Sequence, residues 1–192
     1  NVAGMPDWNT LVQKMADAIN YSRCDNCKKK SKGCQDTCKF KDTFSADEYL
    51  KVPQYVYNRN RKLYRQVLRD NIQHDLAIDA PLSNAILDLA PAHIITTNYD
   101  KLIEICKSIH RDNYEVIIHD KDLLSAAKNK YIIKMHGDID DLDTIVLKEA
   151  DYLEYTQKHV LIEMFIRSLL TDHTILFLGY SLNDYNVKLI IS

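Results

Sequence analysis

Tyr131-Ile132-Ile133-Lys134-Met135-His136-Gly137-Asp138 is the stretch on which the fold turns. A short apolar run that stops at a polar turn has the pattern of a strand buried on both faces, its carboxyl end opening onto a loop. The pattern recurs outward from it. His93-Ile94-Ile95-Thr96, Glu115–Ile118 and Thr174-Ile175-Leu176-Phe177-Leu178 are further expected strands, while Lys101–Ile109, Lys121–Lys128 and most of Lys148–Leu170 carry helical spacing between them. Short apolar strands alternating with helices predict an α/β fold, a doubly wound parallel sheet covered on both faces.

The amino-terminal part is helical. Trp8, Leu11, Val12, Met15, Ala18 and Ile19 recur at helical spacing behind Pro6, which predicts a helix over Asp7–Tyr21. Further helices are expected at Ser45–Leu50, at Arg59–Leu76 and behind Pro81, where Leu82, Ile86, Leu87 and Leu89 recur. Between the first two, Ser22–Asp42 is rich in Cys, Lys and Asp, and almost free of aliphatic residues. Residues 22–90 therefore read as a helical insertion in a single domain spanning 1–192.

At 192 residues and 46% hydrophobic, the chain can bury the core of one ordinary domain without staples. Its formal net charge of -2, from 25 basic and 27 acidic residues, offers no global field for nucleic acid or an anionic membrane. No apolar stretch approaches the roughly 20 residues of a membrane helix, and no charged, then apolar leader opens the chain. A cytoplasmic protein is the simplest expectation. The start at Asn1 also leads us to expect residues upstream.

Four of the five cysteines, Cys24, Cys27, Cys34 and Cys38, fall within fifteen residues. Four thiolates are the number a tetrahedral structural zinc site requires, so zinc stands here beside reduced thiols as an open alternative. Lys28, Lys29, Lys30 and Lys32 around them read as a solvated loop. Tyr57, Tyr64, Tyr152 and Tyr155 sit at spacings that suggest half-buried packing, whereas His93, His110, His119, His159 and His173 have no motif around them and are expected at the surface or at strand ends.

Ligands of an open parallel sheet bind outside the carboxyl ends of its strands. Three expected strands end there in small or polar residues: Thr96-Thr97-Asn98-Tyr99-Asp100, His136-Gly137-Asp138 and Gly179-Tyr180-Ser181-Leu182-Asn183-Asp184. Taken singly, Asn98, Asp100, Ser181 or Asn183 would cap a helix, and His136-Gly137 would be a turn. Their occurrence together at one edge points to a site.

These segments carry a resemblance. Gly4-Met5-Pro6-Asp7-Trp8 resembles the Gly-Ile-Pro-Asp-Phe segment of sirtuins, Thr96-Thr97-Asn98-Tyr99-Asp100 their Thr-Gln-Asn-Ile-Asp motif, His136-Gly137 their catalytic His-Gly, and Gly179-Tyr180-Ser181 their late Gly-x-Ser. The order also matches, from Gly4 to Asp184. The chain thus resembles a sirtuin-like NAD-binding domain, and its spellings are most similar to the bacterial sirtuin-like domains of antiphage defence systems such as Thoeris. The resemblance implies a Rossmann-like fold, truncated before Asn1, where a glycine-rich loop and first strand are expected, and after Ser192 as well.

What the resemblance implies about chemistry is specific. Asn98 and His136 would be the catalytic pair, with Gly4, Met5, Pro6, Trp8, Thr97, Asp100, Gly179, Ser181 and Asp184 binding NAD as substrate. An amide donates and accepts at once, which suits orienting a ribose hydroxyl or a water, and an imidazole exchanges protons near neutral pH. Asp100 has a second reading as the cap of the helix at Lys101. Deacylase sirtuins carry a zinc ribbon between the His-Gly and Gly-x-Ser motifs; here no cysteine follows Cys106, which removes one wall of an acyl-lysine cleft and favours water as nucleophile. The implied function is an NAD hydrolase, the effector domain of an antiphage defence protein, with a homo-oligomer and a fused or partner sensor domain. An NAD-dependent protein deacylase and a non-catalytic module for NAD or ADP-ribose are the alternatives.

Overall fold

The computed structural model describes residues 8–21, 44–72, 80–110, 113–179 and 185–191. The motif residues Gly4, Met5, Pro6, Ser181 and Asp184 and the cysteines Cys24, Cys27, Cys34 and Cys38 lie outside them. The described residues form two compact units, one up to Ile72 together with 147–149, the other comprising 80–146 and 150–191. Residues 80–90, read from the sequence as the end of an insertion, belong to the second.

The first unit is built on α1 (Trp8–Ala18), α2 (Ala46–Arg59) and α3 (Arg61–Asn71), which pack mutually. Each presents an apolar stripe: Leu11, Val12 and Met15 from α1, Val52 and Val56 from α2, Tyr64, Val67 and Leu68 from α3 are all buried. Ser45 starts α2 with a reciprocal cap, in which the Glu48 backbone N–H donates to Ser45 Oγ at 3.2 Å and the Ser45 N–H donates to the Glu48 carboxylate at 2.9 Å. The sequence predicts this helix to stop at Leu50, before Pro53. It runs instead through Pro53 to Arg59. Loss of one backbone donor is offset by burial of Val52, Pro53 and Val56 on one face and by the firm start at Ser45. Asn60 then divides what the sequence reads as one helix from Arg59: its extended backbone breaks α2, and its side-chain oxygen accepts from Lys62 N at 3.0 Å and Leu63 N at 3.1 Å to begin α3.

The second unit holds the expected parallel sheet. Its strands are β1 (Ile94–Thr96), β2 (Tyr114–Ile117) and β3 (Lys130–Lys134), ordered β1-β3-β2 with β3 central and both pairings parallel. Around them run α4 (Pro81–Asp88), α5 (Leu102–His110), α6 (Asp120–Ser125), α7 (Glu149–Leu153), α8 (Tyr155–Lys158), α9 (Val160–Asp172) and α10 (Tyr185–Ile191). One face buries Leu87, Ile94, Cys106, Tyr114 and Ile132 beneath α4 and α5, which pack against each other. Two side chains fix the helices beyond: Asp120 caps α9 by accepting from Leu161 N at 2.9 Å and Ile162 N at 3.1 Å, and Arg167 donates to the Leu189 and Ile190 carbonyls of α10.

Thr174–Leu178 departs from the expectation. The run is not part of the three-stranded sheet, and Leu176, Phe177 and Leu178 are exposed. A strand exists by virtue of a ladder, so β-branched and aromatic composition alone cannot make one. Among the described residues no helix is long and apolar enough to cross a membrane.

Candidate functional site

The parallel register brings two expected motifs to the same level. Ile94 stands beside Ile132 and Thr96 beside Lys134; two residues beyond this last pair on the two strands lie Asn98 and His136. The loops that carry them are joined by main-chain hydrogen bonds. Met135 N donates to Thr96 O at 2.9 Å, and Ile139 N to Tyr99 O at 3.1 Å. Tyr99 adds a third link, its hydroxyl donating to Val146 O at 2.9 Å, while Val146 N returns a bond to His136 O at 3.0 Å.

Within this frame the two residues have different settings. Asn98 is exposed, its backbone N–H donating to Thr96 Oγ1 at 3.1 Å, and Thr97 beside it is half-buried. His136 is only 2% exposed, with the ring of Tyr152 edge-on at 5.6 Å. The sequence reads Tyr152 as packing; the surface it packs is the imidazole. Asp100 takes the capping position, its carboxylate accepting from Leu102 N at 2.9 Å as α5 begins.

Gly137 makes the turn after His136 possible. Its φ is +88°, and a Cβ at this position would meet the Thr144 carbonyl oxygen at 2.2 Å. Glycine alone accepts both the angle and the approach. Thr144 closes the loop by accepting from Asp138 N at 2.9 Å and donating to Asp141 O at 2.6 Å.

Beneath the loops is a cluster of charge that the motif reading did not single out. Lys134, the last residue of β3, is 1% exposed and donates to Tyr99 O at 3.2 Å, Asp100 O at 2.5 Å and Asp138 Oδ2 at 2.8 Å, with Glu104 Oε1 in ionic contact at 2.8 Å. Asp138, also 1% exposed, accepts further from Asp140 N at 2.8 Å and has Lys101 Nζ at 3.7 Å. Lys101 pairs with Asp140 as well. Burial pulls the Lys101 pKa down, yet the hydrogen bond to Asp140 and the charges of Asp138, Asp140 and Glu104 outweigh it, so the net direction is upward. The signal available in the sequence was a lysine inside a continuous apolar run with an aspartate four residues on. Read as a strand end, it passes for a solvated residue.

His159 is a second departure. Expected at the surface or at a strand end, it is half-buried against the Tyr155 ring at 4.6 Å; burial lowers its pKa, Asp120 opposes this, and the His119, Lys158 and His136 charges add to the lowering. Of the other expected binding residues, Trp8 is half-buried at the start of α1 in the first unit, and Gly179 is exposed with φ +63°.

Comparison with known proteins identifies the family. Residues 92–192 match the SIR2-like domain family, a span that begins just before β1 and includes both joined loops. The chain belongs to the SIR2-like family. It is 37% identical over 156 residues to "Defense-associated sirtuin 2" of Bacillus subtilis, an alignment covering 79% of this chain and 15% of that protein. It is 30% identical over 194 residues to "NAD(+) hydrolase ThsA" of Cytobacillus dafuensis, covering 99% of this chain and 35% of the relative, and 34% identical over 160 residues to the protein of that name from Enterococcus faecium, covering 79% and 33%. The SIR2-like chain thus spans about a third or less of the length of these relatives. Its α/β architecture, with a small parallel sheet flanked by helices, is that of the family.

Proposed function

We propose that this SIR2-like chain hydrolyses NAD+ to ADP-ribose and nicotinamide. The observation that carries the reading is the lacing of the Thr96–Asp100 loop to the His136–Val146 loop at the carboxyl rim, which sets Asn98 and His136 two residues beyond one registered pair. Relatives named NAD(+) hydrolase support the substrate.

The chemistry suits such a rim. Nicotinamide leaves NAD+ as a neutral ring once the bond between its nitrogen and ribose C1′ breaks, and the departing electron pair leaves cationic character on the ribose. Water then forms the new C1′–O bond and releases one proton. His136 accepts that proton or one from a ribose hydroxyl, and Asn98 orients the hydroxyl or the water. The buried setting of His136 lowers the local dielectric and strengthens each of these interactions, so catalysis here is positioning and electrostatics. Asp138 is an unsuitable base, because two lysines and a backbone N–H already occupy its oxygens. On the same reading Gly4, Met5, Pro6, Trp8, Thr97, Asp100, Gly179, Ser181 and Asp184 would bind the dinucleotide. We place the activity in the cytoplasm, in a homo-oligomer of a longer defence protein whose sensor region controls it.

The test is nicotinamide release from NAD+ by the full-length protein, with and without an acetylated peptide, beside Asn98→Ala and His136→Ala. Release that needs no peptide and falls by at least about 100-fold in both variants is the expected result. Release only with peptide would make the chain a deacylase, and tight ADP-ribose binding without release would make it a binding module.

A further inference from the structure

We propose that Lys134 is a positioning residue that holds the Asn98 loop and the His136 loop in catalytic register. The inference rests on the hydrolase reading of that site. Lys134 touches neither reacting atoms nor ligand; it acts through the backbone of the residues that do.

An ammonium has three protons, and all three of Lys134 are used. Two go to the carbonyls of Tyr99 and Asp100, the residues that immediately follow Asn98, and one to Asp138, two residues after His136. The side chain is wholly buried, where an ammonium persists only with compensation, and Asp138 and Glu104 supply it. A lysine serving stability alone could be replaced in such a place by an apolar side chain. What an apolar side chain cannot do is grip two carbonyls of one loop and a carboxylate of the other from a single point.

The grip acts along the direction that matters. Met135 N–Thr96 O and Ile139 N–Tyr99 O join the loops by main-chain bonds before and after Asn98, and Lys134 pulls on the same Tyr99 carbonyl from below. Asp138 is held in turn by Asp140 N and by Lys101, so the anchor of the His136 side is itself fixed. Removing Lys134 leaves the ends of the frame tied and its centre loose. Asn98 then samples positions displaced from His136, and a displacement of about 1 Å costs on the order of 100-fold in rate.

The experiment uses the full-length protein and two variants. Lys134→Met keeps the length of the stem but strands two carboxylates; the triple variant Lys134→Met, Glu104→Gln, Asp138→Asn removes the charges together and keeps the fold if the single variant loses it. The expected result for the folded variant is a kcat for nicotinamide release lowered by about 100-fold, with KM changed by less than about threefold. Backbone amides 97–100 and 136–139 exchange faster with solvent deuterium, while β2 and the rest of β3 stay protected. A folded variant with wild-type kcat overturns the inference and leaves the hydrolase reading standing. A wild-type protein that releases no nicotinamide sinks the hydrolase reading instead, and unchanged exchange at 97–100 in the variants then sinks the clamp as well.

Discussion

The two ends of β1 and β3 are built from different materials. At the carboxyl end, Lys134, Asp138, Glu104 and a set of backbone carbonyls are joined by directional hydrogen bonds around the Asn98 and His136 loops. At the amino end, His93 and Tyr131, which stand at the starts of β1 and β3, stack at 5.2 Å and meet Phe165 of α9 edge-on at 5.4 and 5.5 Å, with His173 at 5.8 Å from His93. Aromatic contacts tolerate sliding by tenths of an ångström; a lysine that bridges two loops does not. The chain thus keeps precision for the end where the proposed hydrolysis would need it and uses broad apolar contact to hold the other end closed.

That contrast can be broken experimentally. The largest effect is expected from Gly137→Ala, which combines a strained φ with a collision at Thr144: about 2–4 kcal/mol of unfolding free energy by urea titration, and loss of nicotinamide release. A variant as stable as the parent would mean that the rim yields easily, and the contrast fails. Next comes Tyr131→Ala, which removes two ring contacts at the amino end and is expected to cost about 1–3 kcal/mol while leaving kcat unchanged. A drop in kcat there would show the two ends to be coupled.

The smallest effect concerns pH. Burial, aided by the His173 and Lys130 charges, lowers the His93 pKa in the folded protein. As pH falls through about 6.5 the unfolded chain takes up the proton that the folded one resists, so stability declines below that pH and levels off once the folded form is protonated too. His93→Phe removes part of this decline. His159, shifted in the same direction, retains a further part, so thermal melts between pH 5 and 7 are expected to become shallower in slope and not flat.

How far the sequence carried the fold depended on whether an element is a local or a relational object. Tyr131–Met135 was legible because a strand buried on both faces must be short, apolar and bounded by turns; Ile94–Thr96 showed the same pattern, although only Ile94 of it is buried. Thr174–Leu178 has the same composition but lies outside the ladder, and composition holds no information about neighbours. The helix through Pro53 was illegible for the opposite reason: the local penalty is visible in the sequence, while the tertiary burial that offsets it is not. At the site, Asn98 and His136 were readable as motif residues. Lys134 was not, since its role consists in which carbonyls it reaches, and these are supplied by a segment more than thirty residues away.

Tyr99 carries one further consequence. Its carbonyl takes two donors and its hydroxyl gives one, so the residue beside Asn98 is secured at both extremities before any guest arrives. Segments that settle only on contact lose roughly 1–2 kcal/mol of chain freedom per residue at that moment. Here the settling is completed as the polypeptide folds, leaving Asn98 little beyond its own side-chain rotations to surrender, so discrimination among entrants falls to the fit of atoms and not to the willingness of a loop to close.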